Sequence, residues 1–169
     1  MVLTAFELIS TLQHEVRILV HLTGKVDRSK LDYRPTAKQR STIELLRYLS
    51  MMGPTLVRFA MANPGDDMMA IWGTATKEAE SRDFDQAVAA IEAQADEYAK
   101  LLGPLTDADF RAEIDGMAGK TTRGLFLVTV LLGSHAAYRT QLFCYLKACG
   151  RDELTTSNLW AGTDPQPKA

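Results

Sequence analysis

The chemistry open to this chain of 169 residues rests on three histidines, two cysteines and one polar run near the end of the sequence. His14 and His21 are seven residues apart. On a helix that spacing puts them on one face but about 10 Å apart along the axis, too far to share a metal ion. His14 alone, beside Gln13 and Arg17, is placed to look into an interior. The run Ser134-His135-Ala136-Ala137-Tyr138-Arg139-Thr140-Gln141 is richer. His135 is either a ligand or general base lining a cavity, or a histidine hydrogen-bonded within a helical core. Arg139 carries a planar fork suited to a carboxylate or phosphate; the alternative is a salt bridge to an acid such as Glu44. Cys144 and Cys149 lie five apart and form neither a CxxC pair nor a zinc-ribbon spacing, so reduced structural thiols are expected. No glycine-rich phosphate loop, nucleophile elbow or aromatic-basic strip is present, which removes support for nucleotide-binding, α/β-hydrolase and RNA-binding chemistry.

Helices must position these groups. Thr4 and Glu7 form a capping box, followed by Phe6, Ile9, Leu12, Val16, Leu19, Val20 and Leu22 at three- and four-residue steps. This predicts a first helix over 4–23. A polar connection follows through Tyr33-Arg34-Pro35, extended at Arg34 because of the proline. A second capping box, Ser41 to Glu44, opens a second helix over 41–62, with Gly53-Pro54 predicting either a kink or a break. Residues 63–82 are mixed, with a turn at Asn63-Pro64-Gly65 and an apolar patch at Met68, Met69 and Trp72. Met51-Met52 reads as core filler and Met68-Met69 as a loop anchor. Phe84, Val88, Ile91, Ala95, Tyr98 and Leu102 predict a third helix over 83–102, stopped by Gly103-Pro104. The fourth helix is expected over 121–149. Its Leu125–Leu132 half is apolar on all sides, which predicts the most buried helix of the fold.

Four long helices with a long first crossover predict an all-α, antiparallel four-helix bundle over residues 1–150, with a polar tail over 151–169 anchored by Leu159-Trp160. A net charge of −2, with 24% charged and 46% hydrophobic residues, leaves no electrostatic footprint for nucleic acid or anionic lipid. The first residues have no basic segment before their apolar stretch, and the run from Leu125 is about half of what a membrane span needs. Neither nucleic acid nor membrane is expected as a partner, and a cytoplasmic location is.

Two stretches carry a family resemblance. Tyr33-Arg34-Pro35 with Ser41-Thr42-Ile43-Glu44-Leu45-Leu46-Arg47-Tyr48, and Ser134 to Gln141 leading to Leu146 and Gly150, resemble the DinB/YfiT-like four-helix bundles. In that family the second helix reads S-x-x-E-L-L-x-H and the last H-x-x-x-H-R-G-Q. The resemblance implies a three-histidine site for a zinc- or nickel-like ion, with metal-dependent hydrolysis or transfer of small thiols onto electrophiles. Carried over position by position, the ligands fall on Tyr48, Ser134 and Tyr138, none of them histidine. Arg139 and Gln141 match; Thr140 replaces the glycine. His135 is one residue out of register, hence rotated by about 100° around the helix.

A bundle without the three-histidine metal site is therefore expected, binding a small molecule in a polar pocket between the second and last helices. Tyr48, Ser134, His135, Tyr138, Arg139 and His14 are the pocket candidates. No cofactor is expected, a divalent zinc or nickel ion being the lesser alternative. The competing readings are a transferase or hydrolase relocated to His135, Tyr138 and Arg139, and a structural or interaction protein. The apolar content also suggests a homodimer.

Overall fold

The computed structural model describes residues 3–63 and 65–166. Both expected capping boxes form. Thr4 starts α1 (Ala5–Thr23) and Ser41 starts α2 (Thr42–Ala60), each exchanging hydrogen bonds with the glutamate three residues on. A third box, Asp83 with Gln86, opens α4 (Phe84–Leu102). Each reciprocal box satisfies two amides that a helix start leaves without partners.

Proline does not break α2. Pro54 has no N–H for the carbonyl of Ser50, and that oxygen instead accepts from Arg82 Nη1 at 3.2 Å, so the helix continues through it. Beside it, the Leu49 carbonyl accepts from Gln94 Nε2 of α4 at 2.8 Å. The last long helix is continuous over 123–148 but not uniform: α6 (Arg123–Phe126), a wider π segment (Leu127–Leu132) and α7 (Gly133–Ala148).

Both α1 and α2 pack on α4 and on the last helix, so the order around the bundle is α1, α4, α2, last helix. Leu12, Leu19, Leu46, Leu49, Ile91, Leu131 and Leu142 fill its centre. The 24–41 crossover is pinned across the last helix: Tyr145 donates its hydroxyl to the Arg40 carbonyl at 2.9 Å and stacks edge-on against Tyr33.

Three features differ from expectation. Residues 68–80 form a helix, α3 (Met68–Glu80), capped by Asp67 and packed along α2. Met68 and Met69 thus open a helix instead of anchoring a loop, and Met69 points to solvent. A short helix α5 (Asp107–Arg111) and an antiparallel hairpin, β1 (Glu113–Gly116) with β2 (Gly119–Thr122), precede the last helix. Arg123 fastens this insertion, donating to the Ala60 carbonyl at the end of α2 and to that of Asp109. Finally, the last helix is not the most buried; α2 is. Leu125 is 54% exposed and Val128 36%, because that end stands at a corner of the bundle and has an outward face.

After α7, the chain returns over α1 through α8 (Thr156–Trp160), where buried Asn158 hydrogen-bonds His21 and Asp164. Among the described residues no helix is long and apolar enough to cross a membrane.

Candidate functional site

The inward stripe of α7 is His135, Arg139, Leu142 and Leu146, at steps of four, three and four. Ser134 and Tyr138 precede two members of that stripe by one residue, so they lie about 100° away, on its flank. From there Tyr138 meets Tyr48 of α2, ring centroids 4.8 Å apart and edge-on. Both rings are half-buried, as is Ser134 one turn before Tyr138. Burial, reinforced by the neighbouring Tyr138, pushes the Tyr48 hydroxyl well above the usual phenol range, so it is neutral near pH 7.

A cavity of about 440 Å³ opens on Tyr48. It lies between α2 and α3, not between α2 and the last helix as expected. Its α2 wall is Glu44, Arg47, Tyr48 and Met51, one helical stripe; the opposite wall is Trp72, Thr76, Ala79 and Glu80, with Arg40 at the rim. The Arg40 guanidinium sits 3.9 Å over the Tyr48 ring, a cation–π contact. Trp72 lies between Tyr48 and Phe59, at 6.0 and 5.8 Å. Helix α3 builds half of this cavity, and Trp72, where its second turn begins, is the sequence signal for it.

His135 is elsewhere. Fully buried, it reaches across the core to α4, where its Nε2 lies 2.6 Å from the Tyr98 hydroxyl. Tyr98 in turn donates to Gln94 Oε1 at 3.0 Å, and Gln94 Nε2 donates to the Leu49 carbonyl. This chain fixes the tautomer. The Tyr98 proton serves Gln94, so Nε2–H of His135 must donate to the Tyr98 oxygen, leaving Nδ1 bare. Nδ1 has no partner among the described residues. Burial, helped by the positive charge of Arg139, pushes the His135 imidazole down to about 4, so it is neutral near pH 7. Gly53 makes room for the network: a Cβ there would stand 1.9 Å from the Tyr98 hydroxyl and 2.7 Å from Gln94 Oε1.

Arg139, 2% exposed, pairs with Glu15 of α1 at 2.8 Å rather than with Glu44, and lies 4.7 Å over the Trp160 ring. Burial raises the Glu15 carboxyl despite the opposing pull of Arg139 and His14. His14 is tied to the tail. Its Nε2 lies 2.9 Å from the Trp160 carbonyl, which only accepts, so Nδ1 accepts from Arg17 at 3.3 Å. The six residues singled out from sequence thus occupy three places. Tyr48 of α2 meets Tyr138, with Ser134 on the same flank of α7; His135 sits in the core network; Arg139 and His14 tie α7 and α1 to the tail. Of their partners, Glu15 and Gln94 carry no motif in the sequence, and Tyr98 reads there only as part of the apolar stripe of the third helix. The available signal was a polar side chain on an otherwise apolar stripe, as with Gln94 between Ile91 and Tyr98.

Among the described residues no three His, Cys, Asp or Glu side chains come close enough together to hold a metal ion. No protein-family model matches the sequence, and no curated protein does. Among solved structures the chain is similar to YjoA, a DinB-like protein of Bacillus subtilis, with a TM-score of 0.65 and 15% identity over 88% of this chain and 95% of that one. The all-α bundle described above is thus a DinB-like fold.

Proposed function

We propose that this chain is a metal-independent binding protein on a DinB-like scaffold, taking a small molecule in the cavity that opens on Tyr48. The observation carrying this reading is the position of that cavity. It exposes Tyr48, the residue standing where the DinB-like pattern has its second-helix ligand. At about 440 Å³ it falls within the usual range for small-molecule sites, with aromatic walls and a few polar groups.

The residues at the three pattern positions do not fit a zinc or nickel ion. Two phenols and one alcohol replace three imidazoles, and a phenol binds such an ion well only after losing its proton. Burial moves the Tyr48 proton in the opposite direction, and its ring is already held between Arg40, Trp72 and Tyr138. A relocated enzyme centre at His135 and Arg139 has little support either, because both are buried, with His135 Nε2 on Tyr98 and Arg139 Nη1 on Glu15.

A thermal-shift screen with anionic, cationic and neutral aromatic fragments tests the reading. A ligand at 100 times its Kd adds about 2.7 kcal/mol of stability, or about 5–10 °C in Tm for a chain of this size. Thr76→Trp, which fills the cavity from the α3 side, should abolish that gain while the protein stays folded. Stabilisation that survives this substitution would place the ligand elsewhere and sink the proposal.

A further inference from the structure

The cavity's charged side chains also point to the chemical class of its occupant. We infer, resting on the binding role proposed above, that the ligand is a planar aromatic anion. Its charge is taken by Arg40 and Arg47 and its ring lies against Tyr48 and Trp72.

Two acids and two bases line the cavity, but they are not equally available. Glu44 is already engaged: it accepts from the Ser41 amide at 2.7 Å and pairs with Arg34 of the crossover at 3.2 Å. The Ser41 bond, with Arg34, holds its carboxyl below the usual range. Arg47 gives its Nε–H to the Arg82 carbonyl at 2.7 Å, which orients the side chain and leaves its terminal nitrogens free of any partner among the described residues. Arg40 has no carboxylate partner among the described residues and rests on the Tyr48 ring. Glu80, the last residue of α3, is the only cavity acid without a partner among them.

The balance therefore favours an anion. Arg47 sits one residue before Tyr48 on the same helical stripe, and Arg40 lies over one face of that ring, so both forks border the aromatic surface that Tyr48 and Trp72 leave open to the cavity. A guanidinium offers paired N–H donors in a plane that match a carboxylate better than any neutral group. The Trp72 ring, 6.0 Å from that of Tyr48, supplies a second aromatic wall. An acyclic anion would leave this surface in contact with water, whereas an aromatic one covers it. Glu80, at the α3 end, opposes a negative ligand and limits its affinity.

Isothermal titration calorimetry with three probes of one shape tests the inference: 2-naphthoate, 2-naphthylmethanol and 2-naphthylmethylammonium. The carboxylate should bind about tenfold tighter than either relative, the size of one charge-assisted contact. Arg40→Gln and Arg47→Gln should each weaken 2-naphthoate by about fivefold to tenfold and leave the alcohol within about twofold. Glu80→Gln should tighten the carboxylate by about twofold to threefold through removal of a like charge. Unchanged naphthoate affinity in both arginine variants, or an alcohol or ammonium bound as tightly as the carboxylate, would overturn the anion assignment. If the alcohol binds as tightly as the carboxylate and Thr76→Trp abolishes both, the cavity remains a binding site and only the ligand class is wrong. If none of the three binds a wild-type protein that unfolds cooperatively, the class and the site both fail.

Discussion

Buried with a bare Nδ1, His135 makes stability depend on pH. Its folded-state value of about 4 lies below the ordinary 6.5, so its contribution is fully present above about pH 6.5 and is lost as pH falls toward 4. Between pH 7 and pH 5 that loss amounts to about 2 kcal/mol. Glu15, whose carboxyl is raised, works in the other direction, so the comparison is with His135→Gln, which retains Glu15 and keeps an N–H for Tyr98. Urea unfolding at the two pH values should show wild type losing about 2 kcal/mol more than the variant; equal losses would mean that His135 is not buried in its neutral form. Arg139 belongs to the same core. Arg139→Met should cost about 3–5 kcal/mol by leaving the Glu15 carboxylate buried and unpaired, and adding Glu15→Leu should recover most of it. If the single and double variants unfold at the same urea concentration, the pair is not the isolated buried contact described here. Gly53→Ala should cost about 3 kcal/mol, because its Cβ must push aside the Tyr98–Gln94 bond.

At the scale of elements, α2 is the informative case. Its capping box was readable from residue types, whereas Gly53-Pro54 left a kink and a break both open, because the partner that accommodates the proline, Arg82, lies on the far side of α3 in sequence. Arg82→Met should therefore destabilise by about 1–3 kcal/mol through the unpaired Ser50 carbonyl. Pro54→Ala, harmful or neutral by itself, should offset part of that loss by restoring an N–H for the same oxygen. A double-mutant cycle with no coupling between the two changes would show that the carbonyl finds another partner. Helix α3 escaped the sequence reading because its buried stripe is Ala75 and Ala79, too small to raise an apolar signal. The β1–β2 hairpin escaped because its strands are polar and short, and Gly119, at a φ of 111°, was its one local cue. The last helix was misjudged for the opposite reason. Leu125 and Val128 look like core in a pattern that counts residues, but only the packing shows which corner they occupy. The site was legible to the same partial degree. Register brought Tyr48 and Tyr138 together, whereas the cavity above Tyr48 depends on the helix that the pattern missed.

For the molecule as a whole, the DinB-like fold and the side-chain chemistry at the three pattern positions separate. The bundle shares its fold with a protein only 15% identical, while the side chains at the three pattern positions offer hydroxyls. A three-histidine replacement checks that these positions converge. Tyr48→His with Ser134→His and Tyr138→His should take up one zinc ion and raise Tm when zinc is added, since Ser134 and Tyr138 are one turn apart and Tyr48 already touches Tyr138. A folded triple variant that takes up no zinc would mean that the three side chains do not face one point.

The most direct measurement is the affinity of the cavity for the fragment that stabilises the wild-type chain most, by calorimetry before and after exhaustive dialysis against EDTA and then against metal-free buffer. A metal-independent site predicts a Kd unchanged within about twofold, with binding still abolished by Thr76→Trp. Binding that disappears on chelation and returns with added zinc or nickel would contradict it, and would make a metal part of the site.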